Sequence, residues 1–136
     1  MSARRNKQRV LDYLTAISEG RRDDAMAAFA EDALWKHPPS LGNDGRLAGR
    51  ARIFDRYFAV DDELFETGRR AYDFEILSAI AEGDRVAVEI RHRGRGAKGQ
   101  PYETDYHVAF ELRDGLIREV HEYLDSLYVK RELLGD

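Results

Sequence analysis

Apolar residues Val10, Tyr13, Leu14 and Ile17 recur at helical spacing, which predicts a first helix over Asn6–Glu19 closed by Gly20. Asp23 and Asp24 suit the start of a second short helix running through Ala30, with Ala25, Met26 and Phe29 as its buried face. Leu34–His37 alternates like a strand and stops at Pro38-Pro39, and the Gly-, Asn- and Asp-rich stretch Ser40–Gly49 reads as a loop. A third helix over Arg50–Leu64 presents Ile53, Phe54, Tyr57 and Phe58 on one side. After Gly68 the period changes to two. Strands over Arg70–Ala81 and Arg85–Gly94 flank the turn Glu82-Gly83-Asp84, and strands over Gln100–Leu112 and Leu116–Asp125 flank Arg113-Asp114-Gly115. Leu127–Asp136 is either a docked terminal segment or a fraying tail. Helices followed by an antiparallel meander predict an α+β layer fold.

The last hairpin carries the densest chemistry. Tyr106, Val108, Phe110 and Leu112 alternate with Asp105, His107, Ala109 and Glu111, while Ile117, His121, Tyr123 and Asp125 share one parity of the return strand. A two-residue turn pairs Val108 with His121 and Tyr106 with Tyr123; a three-residue turn with Gly115 left-handed pairs His107 with His121 and Asp105 with Tyr123. His107 and His121 with Glu119 or Asp105 could form a metal site, but no dense ligand motif accompanies them, so they read as structural or acid–base histidines and neither metal nor cofactor is expected.

A chain of 136 residues fits a single domain over 1–136. Its net charge of −4 gives no basic excess for nucleic acid, and the absence of cysteine excludes disulfides, thiolate metal sites and cysteine nucleophiles. The basic stretch Arg91–Gly99 fits neither a phosphate loop nor a dinucleotide fingerprint and reads as a solvated hairpin connection. The basic N-terminus leads into an amphipathic stretch where a secretory signal would be apolar, so a cytoplasmic location with no membrane association is expected.

The residues Asp12-Tyr13-Leu14-Thr15-Ala16-Ile17-Ser18-Glu19-Gly20, Ala28-Phe29-Ala30-Glu31-Asp32-Ala33, Trp35-Lys36-His37-Pro38, Gly49, and Arg113-Asp114-Gly115-Leu116-Ile117 leading into Glu122-Tyr123-Leu124-Asp125 together give the chain its resemblance to a known group. In their order and spacing it resembles the nuclear transport factor 2-like superfamily, in its SnoaL-like polyketide cyclase and ketosteroid isomerase-like branches. The resemblance implies a cone-shaped, curved antiparallel sheet wrapped around three N-terminal helices, with an apolar pocket at the open end.

Carried over by position, the isomerase branch's tyrosine matches Tyr13, its base position falls on His37 and its second acid falls near His107; histidine departs from the branch pattern at the last two, though a pKa of about 6.5 suits proton transfer. The cyclase branch's proton-transfer acid on the last strand matches Asp125. These branches favour the three-residue turn, which gathers His107, His121 and Asp125 on one side. Trp35, Tyr57, Phe58 and Tyr123 are expected to line the pocket. The resemblance implies a cofactor-free acid–base enzyme acting on a small hydrophobic carbonyl compound: Asp125 or His37 takes a proton beside the carbonyl, and Tyr13, with His107 or His121, hydrogen-bonds to the enolate. The alternatives are a non-catalytic ligand-binding or dimerisation domain, or a dehydratase or epoxide hydrolase using Asp125 with His121. A homodimer through the outer sheet face is also implied.

Overall fold

The computed structural model describes residues 2–66 and 72–135. Helix α1 (Ala3–Ser18) is capped by the Ser2 side chain and buries Val10, Tyr13, Leu14, Ala16 and Ile17, the stripe expected from its periodicity. Helix α2 (Arg22–Ala27) is shorter than expected. The chain leaves it at Ala28 and enters strand β1 (Phe29–Lys36), so Phe29, expected on a helix face, is a fully buried strand residue. β-Propensity at an aromatic position and pairing with the last strand override the weak helical pattern there. The stretch read as a loop holds two short 3-10 turns, at Pro39–Leu41 and Asn43–Gly45, and a short strand β2 (Arg46–Ala48) paired with the end of β1. Helix α3 spans Arg50–Leu64, as expected.

Four long strands follow: β3 (Tyr72–Glu82), β4 (Arg85–Arg95), β5 (Pro101–Arg113) and β6 (Leu116–Leu124). The expected strand start at Arg70 and the change of period at Gly68 lie outside the described residues. The strand order is β2-β1-β6-β5-β4-β3, and β1 runs parallel to β6, so the curved sheet is mixed where an antiparallel one was expected. The concave face packs on α1 and α3 around Phe29, Phe54, Val88, Phe110 and Val120. Asn6, on α1, reaches across to the β3–β4 turn, its amide donating to Gly83 O at 3.1 Å and Asp84 Oδ1 at 3.3 Å. The convex face carries an ion-pair ladder in which Arg91 holds Asp105 and Arg93 holds Glu75 and Glu103.

The β5–β6 register is neither of the two expected. Asp114 and Gly115 both have positive φ, 52° and 77°, and form a two-residue turn that pairs Arg113 with Leu116. The pairing then shifts: Leu112 faces Ile117, but Glu111 faces Glu119, leaving Arg118 as an extra residue in β6. This bulge reverses the parity of the rest of the strand. Val120, Glu122 and Leu124 turn inward opposite Phe110, Val108 and Tyr106, while His121 and Tyr123 turn outward beside Ala109 and His107. The C-terminal segment is docked: a short helix α4 (Ser126–Val129) and a π-helical turn (Lys130–Leu134) lie across the end of the sheet, held in part by Gln100 Nε2 donating to Glu132 O at 2.8 Å.

Candidate functional site

A cavity of about 190 Å³ opens between the concave sheet face, α1, α3 and the C-terminal segment. Its wall is mostly apolar or aromatic, from Leu14, Trp35, Ile53, Tyr57, Phe74, Ile90, Val108, Phe110 and Leu133 among others. Into this wall the fold sets a small number of titratable groups: Tyr13 from α1, His37 just after β1, Arg56 and Asp61 from α3, His92 from β4, Tyr106 from β5 and Glu122 from β6.

Glu122 is the central one. It follows Val120 by two residues on the inward parity that the Arg118 bulge creates, and Val120 lies beside Trp35 in the parallel β1–β6 pairing. Burial in an apolar wall pushes its carboxyl up to about 7, and a hydrogen bond from Trp35, whose only donor is the indole N–H, opposes the rise by favouring the carboxylate. Near neutral pH the group is therefore divided between its acid and base forms. Asp61 is pushed higher, to about 8, by burial; the Arg22 guanidinium pulls the other way, and the neighbouring Asp62 carboxylate adds to the rise. Asp62 itself faces Arg22 in an exposed ion pair at 2.6 Å.

The tyrosines are donors. Burial, then the negative potential of Glu122 and Asp61, holds the Tyr13 hydroxyl well above the ordinary phenol range. Tyr57 is raised in the same way, with burial first and Tyr13 and Asp61 next. Its ring centroid lies 5.7 Å from that of Trp35. Tyr106 shares a 2.6 Å O–H···O contact with Tyr102. At His37 the Nδ1 nitrogen sits 3.0 Å from Pro38 O, a carbonyl that can only accept, so Nδ1 carries a proton and donates it there. His92 is enclosed by aromatic rings, with Phe74 at 5.0 Å between centroids, and burial depresses it to about 3, so it is neutral. Among the described residues no three His, Asp or Glu side chains come together as a metal site.

Of the residues singled out from sequence, Tyr13, His37, Trp35 and Tyr57 line the cavity. The others do not. Phe58 packs beside Phe54 and Tyr57 with the Arg22 guanidinium 4.4 Å from its ring centre, outside the lining. Asp125 caps α4, accepting from Tyr128 N at 3.1 Å, and is exposed. His107 is exposed on the convex face, His121 pairs there with Glu119 at 3.3 Å, and Tyr123 is 60% exposed beside them. The reason is the bulge: without the extra Arg118, strict alternation from the buried Ile117 carries His121, Tyr123 and Asp125 inward.

Sequence reasoning passed over Glu122, Asp61, Arg56, Tyr106 and His92. Two signals were present. Glu122 stands between Val120 and Leu124 on an otherwise apolar parity, and Asp61 continues the stripe Ile53, Tyr57, Val60, Leu64 at helical spacing.

Among solved structures the chain is similar to a nuclear transport factor 2-like protein of unknown function from Burkholderia pseudomallei K96243 (20% identity, 98% of each chain, TM-score 0.83). It is similar also to an LEH-like epoxide hydrolase of M. tuberculosis (18% identity, 98% of this chain and 92% of that one, TM-score 0.76). TerC, co-crystallised with polyporic acid, matches at 20% identity over 97% of this chain and 99% of its own, with a TM-score of 0.80. At these identities the likeness is one of fold. No curated protein matches the chain. No helix among the described residues is long and apolar enough to cross a membrane. The SnoaL-like domain family matches residues 10–120, from α1 to the middle of β6, and the chain therefore belongs to the SnoaL-like family within the nuclear transport factor 2-like fold.

Proposed function

We propose that this protein is a cytoplasmic acid–base enzyme of the isomerase or cyclase type that acts on a small hydrophobic carbonyl compound in the cavity and draws its proton donors and acceptors from its own side chains. The observation that carries this reading is the Glu122 carboxyl, set in an apolar wall beside Trp35 and near the Tyr13 and Tyr57 hydroxyls, with a pKa of about 7. The carboxylate removes a proton from the carbon next to the carbonyl. The C–H electron pair moves into a new C=C bond, and the carbonyl electrons move onto oxygen. Tyr13 and Tyr57 donate hydrogen bonds to that oxyanion, a charge that develops only as the bond breaks. In an unsaturated ketone, returning the proton to the far carbon of the conjugated system isomerises the compound; alternatively the enolate carbon attacks a second carbonyl, whose π pair moves onto its oxygen and takes up the proton held by Glu122, closing a ring. His37, whose Nδ1 is engaged with Pro38 O, presents Nε2 as a second polar group at the cavity edge. The neighbour crystallised with polyporic acid supports a small organic ligand for this cavity.

The test is exchange of substrate α-hydrogens in deuterium oxide, followed by NMR over a panel of cyclic and aryl ketones. Glu122→Gln is expected to abolish enzyme-dependent exchange, whereas Asp125→Asn and His121→Ala retain it. Retention by Glu122→Gln refutes the assignment.

A second reading is favoured by the separate ionisation of the two cavity acids and by the epoxide hydrolase neighbour. Asp61, protonated at neutral pH, gives its proton to an epoxide oxygen while the Glu122 carboxylate takes one from the attacking water, leaving a vicinal diol. Diol formation from a terpenoid epoxide separates the two. Ile80, 70% exposed, and Tyr123 on the convex face also support a homodimer through that face, which light scattering at micromolar concentration tests.

A further inference from the structure

The cavity-facing stripe of α3, residues 53, 56, 57, 60, 61 and 64, follows helical spacing and contains two charged positions, Arg56 and Asp61. At 100° per residue they fall on opposite edges of the stripe, about 7.5 Å apart along the axis. Asp61 is half-buried; Arg56 is exposed, and with Leu134 it marks where the lining reaches solvent. Elsewhere Arg22, Arg91, Arg93 and Arg113 each hold a carboxylate. Among the described residues Arg56 makes no ion pair and no hydrogen bond, although it stands at the mouth of the cavity on a chain of net charge −4.

Resting on the acid–base reading above, we propose that Arg56 is a specificity-determining residue and that the substrate is an amphiphilic anion, a ring system bearing a carboxylate or a similar delocalised oxyanion. The guanidinium holds the anionic group at the mouth through paired N–H donors, and the apolar body enters between Trp35, Tyr57 and the sheet. This arrangement fixes orientation. A charge drawn into the apolar interior is costly to desolvate, so the anionic end stays outside and the reacting carbon is carried inward towards Glu122. The protonated state of Asp61 at neutral pH spares the entering anion a repulsive neighbour.

The probes are naphthalene-2-carboxylate and naphthalene-2-carboxamide, which share shape and differ in charge, titrated calorimetrically into the full chain at low and moderate salt. The carboxylate is expected to bind about tenfold more tightly than the amide, the scale of one charge-assisted contact, and to lose part of that advantage as salt is added. Arg56→Ala should remove the preference while leaving amide binding within about twofold, and Arg56→Lys should keep a part of it. Equal binding of the two probes by the wild type, binding of neither, or an Arg56→Ala variant with the preference intact overturns the proposal. Exchange in deuterium oxide is read in parallel. Equal probe binding with Glu122-dependent exchange intact removes only the role of Arg56, and exchange that survives Glu122→Gln with the probe preference intact removes only the acid–base reading.

Discussion

Replacing Glu122 by glutamine should change how stability depends on pH in a way that a surface acid does not. The carboxyl titrates at about 7 in the folded protein against an ordinary 4.5, so the fold favours its protonated form. Between those values the unfolded chain has released this proton and the folded chain has kept it, and stability falls as pH rises. His92 acts with the opposite sign. Held at about 3 against 6.5, it contributes stability that is complete above 6.5 and is lost as pH falls towards 3. Asp61, at about 8 against 3.8, has the sign of Glu122 over a wider window. The wild-type slope is thus a sum of opposing terms, and the difference between Glu122→Gln and wild type isolates one of them. From about pH 5 to about pH 8 that difference should move by about 2 to 3 kcal/mol in favour of the variant, at 1.36 kcal/mol for each unit of pKa. The assay is urea denaturation followed by far-UV circular dichroism at half-unit pH steps, with Glu119→Gln, on the convex face, as control. Parallel curves for Glu122→Gln and wild type would refute the placement of this carboxyl in an apolar wall.

Three further outcomes are expected. On the epoxide reading, diol formation should rise with pH through about 7 as Glu122 ionises and decline above about 8 as Asp61 loses its proton, and Asp61→Asn should remove the upper decline; an unchanged bell refutes the assignment of Asp61. Trp35→Phe, which removes the indole donor to the carboxylate, should move the lower midpoint up by about one pH unit in a pH–rate profile, and a fixed midpoint counts against that bond. Asn6→Ala should cost about 1 to 3 kcal/mol in denaturation experiments by unfastening α1 from the β3–β4 turn, whereas Asp125→Ala should cost only about 1 kcal/mol, the usual value of an N-cap, and leave catalysis alone.

The helices and the four long strands were legible because their burial is one-sided over many residues: Val10, Tyr13, Leu14 and Ile17 can bury together only on a helix, and Val86, Val88 and Ile90 only on a strand. Strand β1 was half legible. Its first residues lie in a run of alanines with no period of its own, and only pairing with β6 makes Phe29 a strand residue. The cavity was legible through Tyr13, Trp35, His37 and Tyr57, whose placement does not depend on the β6 bulge. Glu122 was not, because the inward parity of β6 turns on a single unpaired residue at Arg118. A bulge has no composition signature here, yet it exchanges the two faces for everything downstream, taking His121 and Tyr123 out of the cavity and bringing Glu122 in. The pattern Val120, Glu122, Leu124 pointed that way, since an isolated acid between two apolar residues of one parity is costly unless the fold uses it.

Trp35 is the chain's single tryptophan, and it stacks on Phe29, meets Tyr57 edge to face and donates to Glu122 within the cavity wall. The protein therefore carries its own optical probe at the point of interest. Indole emission responds to a neighbouring carboxylate and to the displacement of water, so the intrinsic fluorescence of the unlabelled wild-type chain reports two events separately: a midpoint near pH 7 for the acid, and a saturable change on adding a ligand. Screening for the natural substrate thus needs neither a chromophoric compound nor a known reaction, only a cuvette and a library of small organic acids and ketones.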